Sequence, residues 1–173
     1  MRTKILLLAI CAFILSCGNP QADLASKIEG IANQVYNDST KRIDPEMAKQ
    51  YIAACEEYAG KYSADTLSPV LLLKAAETSR NIGDFQTALK LYDQIINDFS
   101  TFKKAPQALF LKAFTVDDNM GKKEEAKVIY EAFLEKYPND DFAESAKFML
   151  ENLYKSDAEI IQGFEEKKQG EAQ

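Results

Sequence analysis

Gly83-Asp84-Phe85-Gln86-Thr87-Ala88 leads into Leu91, Tyr92, Ile95, Ile96 and Phe99, and 38 residues further on the chain repeats itself. There Gly121-Lys122-Lys123-Glu124-Glu125-Ala126 leads into Ile129, Tyr130, Phe133, Leu134 and Tyr137. Upstream, Leu72, Leu73, Lys74 and Ala75 stand opposite Phe110, Leu111, Lys112 and Ala113. From the small residue onward the apolar positions of each copy are spaced 3, 1, 3 and 4, a single stripe along an α-helix. The upstream block has the same period, and a glycine separates the two blocks. Each unit therefore predicts a helix, a tight turn at glycine and a second helix. Units of this kind bury their apolar faces by stacking on their neighbours, which makes the chain a helical repeat.

On these residues the sequence resembles the tetratricopeptide repeat family. Its pattern has a large apolar residue opening the first helix, small or apolar residues three and four positions on, and a turn glycine. A small residue, an aromatic and a terminal proline follow in the second helix. The first copy reads Leu72, Ala75, Ala76, Gly83, Ala88, Tyr92 and Ser100; the second reads Phe110, Ala113, Phe114, Gly121, Ala126, Tyr130 and Pro138. The chain departs from the pattern in lacking tryptophan, in Ser100 at the proline position and in Phe114 where a small residue is usual. Its unit of 38 residues also exceeds the usual 34 or so. The resemblance implies an all-α solenoid of antiparallel helix hairpins, about four helix pairs in all, of which two are clear repeats.

The first residues read as a targeting segment rather than as fold. Arg2 and Lys4 make a basic start, Ile5 to Leu15 is an apolar run too short for a permanent span, and Leu15-Ser16-Cys17 looks like a bacterial lipobox. The expectation is a signal peptide over residues 1–16, with Cys17 as the lipidation site carrying a diacylglyceryl thioether and an N-acyl chain such as palmitate. Two or three acyl chains anchor stably where one does not. Residues 17–22 are then a short lipidated tether, 23–168 the helical-repeat domain and 169–173 a flexible tail. Loss of Arg2 and Lys4 takes the formal charge from −6 to −8, a surface that repels nucleic-acid backbones. Only Cys55 remains unmodified, so no internal disulfide is expected.

Along the domain, a first helix is expected from Asp23 to Tyr36, followed by a polar connection through Asn37–Arg42. Asp44-Pro45 signals a second helix by N-cap and first-turn proline. That helix carries Ala48, Tyr51, Ile52, Cys55 and Ala59 at the same 3, 1, 3, 4 spacing, which places Cys55 with Ile95 and Phe133 as a buried residue. Ser68-Pro69 and Ala105-Pro106 open the next first helices. Asp141-Phe142-Ala143-Glu144 and Ser156-Asp157-Ala158-Glu159 read as capping boxes for two final helices. Residues from Lys167 onward are expected to fray.

The chemistry-bearing residues are sparse. There is no histidine, which removes the usual nucleophile–base pairs and zinc sets, and the seven glycines are scattered. Asp117-Asp118, Glu124-Glu125 and Glu165-Glu166 are adjacent carboxylates, but sequence neighbours point to different helix faces. The sequence thus reads as a non-enzyme without cofactor or metal. In the family, the first helix of each repeat lines a concave groove. Carried over, the partner-binding positions are Leu73, Glu77, Arg80 and Asn81 in the first copy, beside Val70. In the second they are Leu111, Thr115, Asp118 and Asn119, beside Ala108. An acidic residue at position 77 argues against capture of a C-terminal carboxylate there. The expected role is a membrane-anchored protein–protein interaction scaffold of the bacterial cell envelope, at the outer membrane. It would bind a peptide or helix of another envelope protein. A glycan- or peptidoglycan-binding accessory and a self-associating structural subunit are the alternatives.

Overall fold

The computed structural model describes residues 18–37 and 42–170. The expected signal segment 1–16 and Cys17 lie outside the described residues, as do residues 171–173 of the expected tail. The described chain is an all-α solenoid. Its helices are α1 (Pro20–Val35), α2 (Pro45–Lys61), α3 (Leu67–Asn81), α4 (Phe85–Asp98), α5 (Ala105–Phe114), α6 (Lys123–Lys136), α7 (Ala143–Asn152) and α8 (Asp157–Gly170). From α1 to α7 each helix packs on the next in sequence, the arrangement required by units that cannot bury their stripes alone. By contrast, α8 meets α7 through Phe148 and Phe164, whose rings stack at 5.9 Å.

The repeat stripes are the core. Ala48, Ala88 and Ala126 are fully buried, as are Cys55, Ile95 and Phe133 seven residues after them, and Tyr92 and Tyr130. Small residues at the crossing points let the helices approach, and the large ones four positions on fill the space between them. Buried side chains from α1 to α4 and the start of α5 form one cluster, and those from α5 to α7 form a second. Half-buried Ile96 and Leu111 pack against both. Phe110 is the hub of the second cluster, with ring centroids of Phe142, Phe133 and Tyr130 at 4.9, 6.0 and 6.1 Å.

Both repeat glycines turn the chain with positive φ, +82° at Gly83 and +65° at Gly121, the region that side chains with a Cβ resist. The two turns nevertheless differ. After α3 the Asp84 N–H donates to the Ser79 carbonyl (2.9 Å). After α5 the helix widens into a π-helical turn at Thr115–Asn119, with Met120 N–H reaching Thr115 O (3.1 Å) and Lys122 N–H reaching Val116 O (3.0 Å). The widening begins directly after Phe114, the residue that departs from the repeat pattern.

The helix starts correct several expectations. Helix α1 begins at Pro20, so residues 20–22 are its first turn rather than tether, and Asn19 Oδ1 accepts from Gln21 N (3.2 Å) and Ala22 N (3.3 Å). Gln21 Nε2 also donates to Tyr58 Oη (2.9 Å) and to Asp65, tying that turn to the α2–α3 corner. Asp44 caps α2 as its sequence indicates, accepting from Glu46 N (2.9 Å) and Met47 N (3.0 Å). Ser68 does not cap α3: it is buried and donates to the Tyr62 carbonyl (2.6 Å), while Asp65 Oδ1 accepts from Leu67 N (2.7 Å). Nor does Asp141 form a capping box, because the chain turns one residue earlier and Asp140 accepts from Phe142 N (3.0 Å). The box at Ser156 does form, with Ser156 N–H donating to Glu159 (2.7 Å) and Glu159 N–H to Ser156 Oγ (3.4 Å). Its carboxyl is held below the usual range, first by the Ser156 backbone N–H and then by the hydroxyl. Tyr36–Asn37 and Arg42–Ile43, at the two ends of the polar connection, pair as a short antiparallel ribbon. At the other end α8 remains helical to Gly170, past Lys167 where fraying is expected.

Candidate functional site

The first helices of successive hairpins, α3, α5 and α7, border one open cavity of about 550 Å3. From α5 come Phe110, Leu111 and Phe114; α7 adds Phe148 and Met149, and α3 contributes Arg80. The walls are thus mostly aromatic and aliphatic, and the volume lies within the range of about 300–1,000 Å3 usual for ligand pockets. Phe148, whose ring stacks on Phe164 of α8, leaves 40% of its surface exposed. Farther along α3, a second and more polar cavity of about 310 Å3 opens where Lys74, Glu77, Thr78 and Asn81 face Val35 of α1 and Tyr51 of α2.

The groove positions carried over from the repeat pattern fall into three groups. Arg80 and Leu111 line the apolar cavity, and Glu77 and Asn81 line the polar one. Asp118 and Asn119 border neither of these two cavities; Asn119 Nδ2 donates back to Asp118 (3.3 Å). Leu73 and Thr115 require correction. Leu73 is 4% exposed and belongs to the first core cluster. Thr115 is fully buried, and its hydroxyl donates to the Leu111 carbonyl one turn back (2.7 Å), so neither residue presents surface to a partner. Ala108 is likewise fully buried. Thr115 opens the π-turn, where the backbone advances by more residues per turn than in a regular helix. Leu73 and Ala108 lie on regular α-helix and simply face the core.

Three groove residues escape the pattern altogether. Phe114 stands where the repeat carries a small residue; its counterpart Ala76 is fully buried, whereas the Phe114 ring enters the cavity. Phe148 and Met149 belong to α7, whose sequence reads as packing for a terminal unit. The departure at position 114 was the available signal for Phe114, since an aromatic too large for the crossing point must occupy space beside it.

Electrostatics distinguish Arg80 from its neighbours. Its guanidinium carbon lies 5.8 Å from the Phe114 ring centroid, within cation–π range, while its Nε is buried without an acceptor. No ion pair among the described residues involves it. Glu77, one turn earlier, instead accepts from Gln107 (3.4 Å). Glu144, at the cavity rim, is paired with Lys147 (2.8 Å). Behind the cavity Tyr92 is fully buried with no hydrogen-bond partner for its hydroxyl; burial pushes it up to about 12, with the Arg80 charge pulling the other way. Asp117, at the π-turn, is raised above the usual carboxylate range by burial, opposed by Lys123. Cys55 is fully buried, its thiol pushed up to about 12 by burial, with a hydrogen bond from Tyr51 and the Lys74 charge opposing. It is a packing residue in character, not an activated nucleophile.

Residues 71–101 and 107–140 match the family model of the tetratricopeptide repeat, and these two stretches are tetratricopeptide repeats. The matched segments run from α3 through the end of α4 and from α5 to just past α6, so each match is one hairpin. Comparison with curated proteins found no match, and comparison with solved structures found none either. Repeats of this family support a role as a protein–protein interaction scaffold in general.

Proposed function

We propose that a chain built on two tetratricopeptide repeats, with an apolar groove across their first helices, holds a peptide or helix of one partner protein in that groove. The observation that carries this reading is the cavity of about 550 Å3 bordered by α3, α5 and α7, with Phe148 left 40% exposed beside it. An aromatic-lined cleft with a single cation is suited to seating an apolar anchor residue. The function is non-enzymatic, and the partner is another protein of the bacterial cell envelope. Residues 1–17 support placing the chain there: the basic start, short apolar run and Leu15-Ser16-Cys17 suit lipidation at Cys17 and retention at the outer membrane. Among the described residues no helix is long and apolar enough to cross a membrane, which is compatible with anchoring by acyl chains.

Site-specific photo-crosslinking in intact cells tests the proposal. Probes at Ser145 and Phe148 should capture one envelope protein that control probes at Lys90 and Lys127, on α4 and α6, do not. Equal or empty capture at all four positions overturns the groove reading. Labelling with a palmitate analogue, lost in Cys17→Ser, tests the anchor separately.

One observation favours a second reading as a self-associating subunit. Ile161 and Phe164 on α8 are 58% and 55% exposed, leaving apolar surface at the end of the solenoid. Light scattering of the protein at micromolar concentration decides it, and a monomer removes this alternative.

A further inference from the structure

The groove carries one cation that the fold does not neutralise. Arg80 is held over Phe114 with its Nε buried and unpartnered, and the carboxylates nearest along the groove are committed elsewhere, Glu77 to Gln107 and Glu144 to Lys147. Tyr92 behind it is a neutral phenol and supplies no countercharge. An unpaired guanidinium beside an apolar cavity is unusual in a chain with formal charge −6, where carboxylates are in excess. Arg80 is the cation that lines the cavity, and the carboxylate on its rim, Glu144, is paired with Lys147.

We infer that the apolar cavity between α3, α5 and α7 selects an acidic–apolar segment, seating an aromatic or long aliphatic side chain against Phe114 and Phe148 while Arg80 pairs with an aspartate or glutamate close to it in sequence. This rests on the groove reading above and names the chemistry of the partner. A carboxylate meets the planar fork of guanidinium donors with two parallel hydrogen bonds, and the interaction is stronger in a water-poor cleft than at an open surface. The Phe114 ring, with its centroid 5.8 Å from the guanidinium carbon, favours this placement of the fork, so less side-chain freedom is lost on binding. The acid lies within a chain rather than at its end. The polar cavity lined by Thr78 and Asn81 of the same helix α3 gives the segment room to continue beyond Arg80. Arg80 is thus a specificity-determining residue.

A display library of random 12-residue peptides, selected on the immobilised full chain, tests both levels. Selection is run in parallel on Arg80→Glu, Arg80→Gln and Phe148→Glu, each verified as folded by circular dichroism. The expected result on the native chain is enrichment of peptides with an aromatic or leucine within four residues of an acid. Arg80→Glu should exchange that acid for lysine or arginine. For an enriched peptide, replacing the acid by its amide should weaken binding about tenfold on the native chain and leave it unchanged on Arg80→Gln, as measured by fluorescence anisotropy. Peptides that depend on Phe148 but show no acid, or whose acid is indifferent to Arg80→Gln, overturn the inference and leave the groove reading standing. No enrichment, or enrichment that survives Phe148→Glu, removes the groove reading and the inference with it.

Discussion

Arg80 of α3 lies over the ring of Phe114 on α5, its guanidinium carbon 5.8 Å from the centroid, and this contact joins the two repeats across the groove. The second repeat gives up the small residue that the first has as Ala76, and it gains an aromatic wall and a fixed cation. Phe114 is half-buried, so Phe114→Ala should forgo part of its burial and a cation–π contact of about 0.5–1 kcal/mol. A loss of roughly 1–2 kcal/mol in urea denaturation is expected, well below the cost of a core aromatic. A loss of 3 kcal/mol or more, on the scale of about 3–5 for a buried Phe→Ala, would place Phe114 in the core instead of the groove.

Tyr92 and Tyr130 make a sharper case because ring and hydroxyl pull in opposite directions. Both are fully buried, and both hydroxyls lack a hydrogen-bond partner. Tyr92→Ala should cost on the order of 3 kcal/mol through cavity formation. Tyr92→Phe and Tyr130→Phe retain the ring and remove an unsatisfied polar group, so each should leave stability unchanged or raise it by up to about 1 kcal/mol. A loss of 1 kcal/mol or more on hydroxyl removal, read from urea midpoints, would mean that the oxygen has a partner after all.

The same residues show how much the sequence disclosed. The stripe from Ala88 through Leu91, Tyr92 and Ile95 is set by helical period, and period survives any detail of packing; the hairpins and most of the core were legible for that reason. Arg80 and Leu111 were pointed to by the resemblance to the repeat family rather than by period, and both line the apolar cavity. Thr115 was not, because a π-turn alters the residues per turn and the sequence around Thr115 gives no local sign of it. Phe148 escaped because its exposure depends on how loosely α8 covers α7, which is a property of two helices rather than one. The start of α7 was misread by one residue since Asp140 and Asp141 are chemically identical candidates, and only the path of the backbone chooses between them.

That choice is directly testable. Asp140 accepts from the Phe142 N–H at 3.0 Å, whereas Asp141 makes no capping bond to α7. Asp140→Ala should therefore cost about 1 kcal/mol, and Asp141→Ala should change stability by less than about 0.5 kcal/mol. Equal effects in thermal or urea unfolding would restore Asp141 as a cap.

Gly83 and Gly121 separate backbone strain from crowding. A Cβ built at either position meets no atom within 4 Å, so any penalty comes from the positive φ alone. Alanine at each site should cost roughly 1–2 kcal/mol, and asparagine less, because its side chain tolerates the left-handed region. If asparagine and alanine proved equally costly in urea denaturation, the loss would have to come from a source other than φ.

Stability should fall on the alkaline side, and the sign follows from four buried acids. Tyr51, Cys55, Tyr92 and Tyr130 are all raised above their ordinary values chiefly by burial, Cys55 from 9.0 to about 12 and Tyr92 from 10.0 to about 12. Above pH 9 the unfolded chain releases these protons while the fold retains them, so the unfolded state binds fewer protons and stability decreases with pH. The contribution is fully present below pH 9 and is lost as pH rises toward 12. Each such group removes about 1.4 kcal/mol per pH unit where the two states differ by one proton, so a loss of at least about 2 kcal/mol is expected between pH 8 and 11. Urea midpoints measured across that interval should fall steadily, and Tyr92→Phe should flatten the decline above pH 10 because it deletes one of the four groups. A flat profile to pH 11 would mean that these groups titrate alike in the folded and unfolded chains, which is incompatible with stripes of tyrosine sealed between the helices of a solenoid.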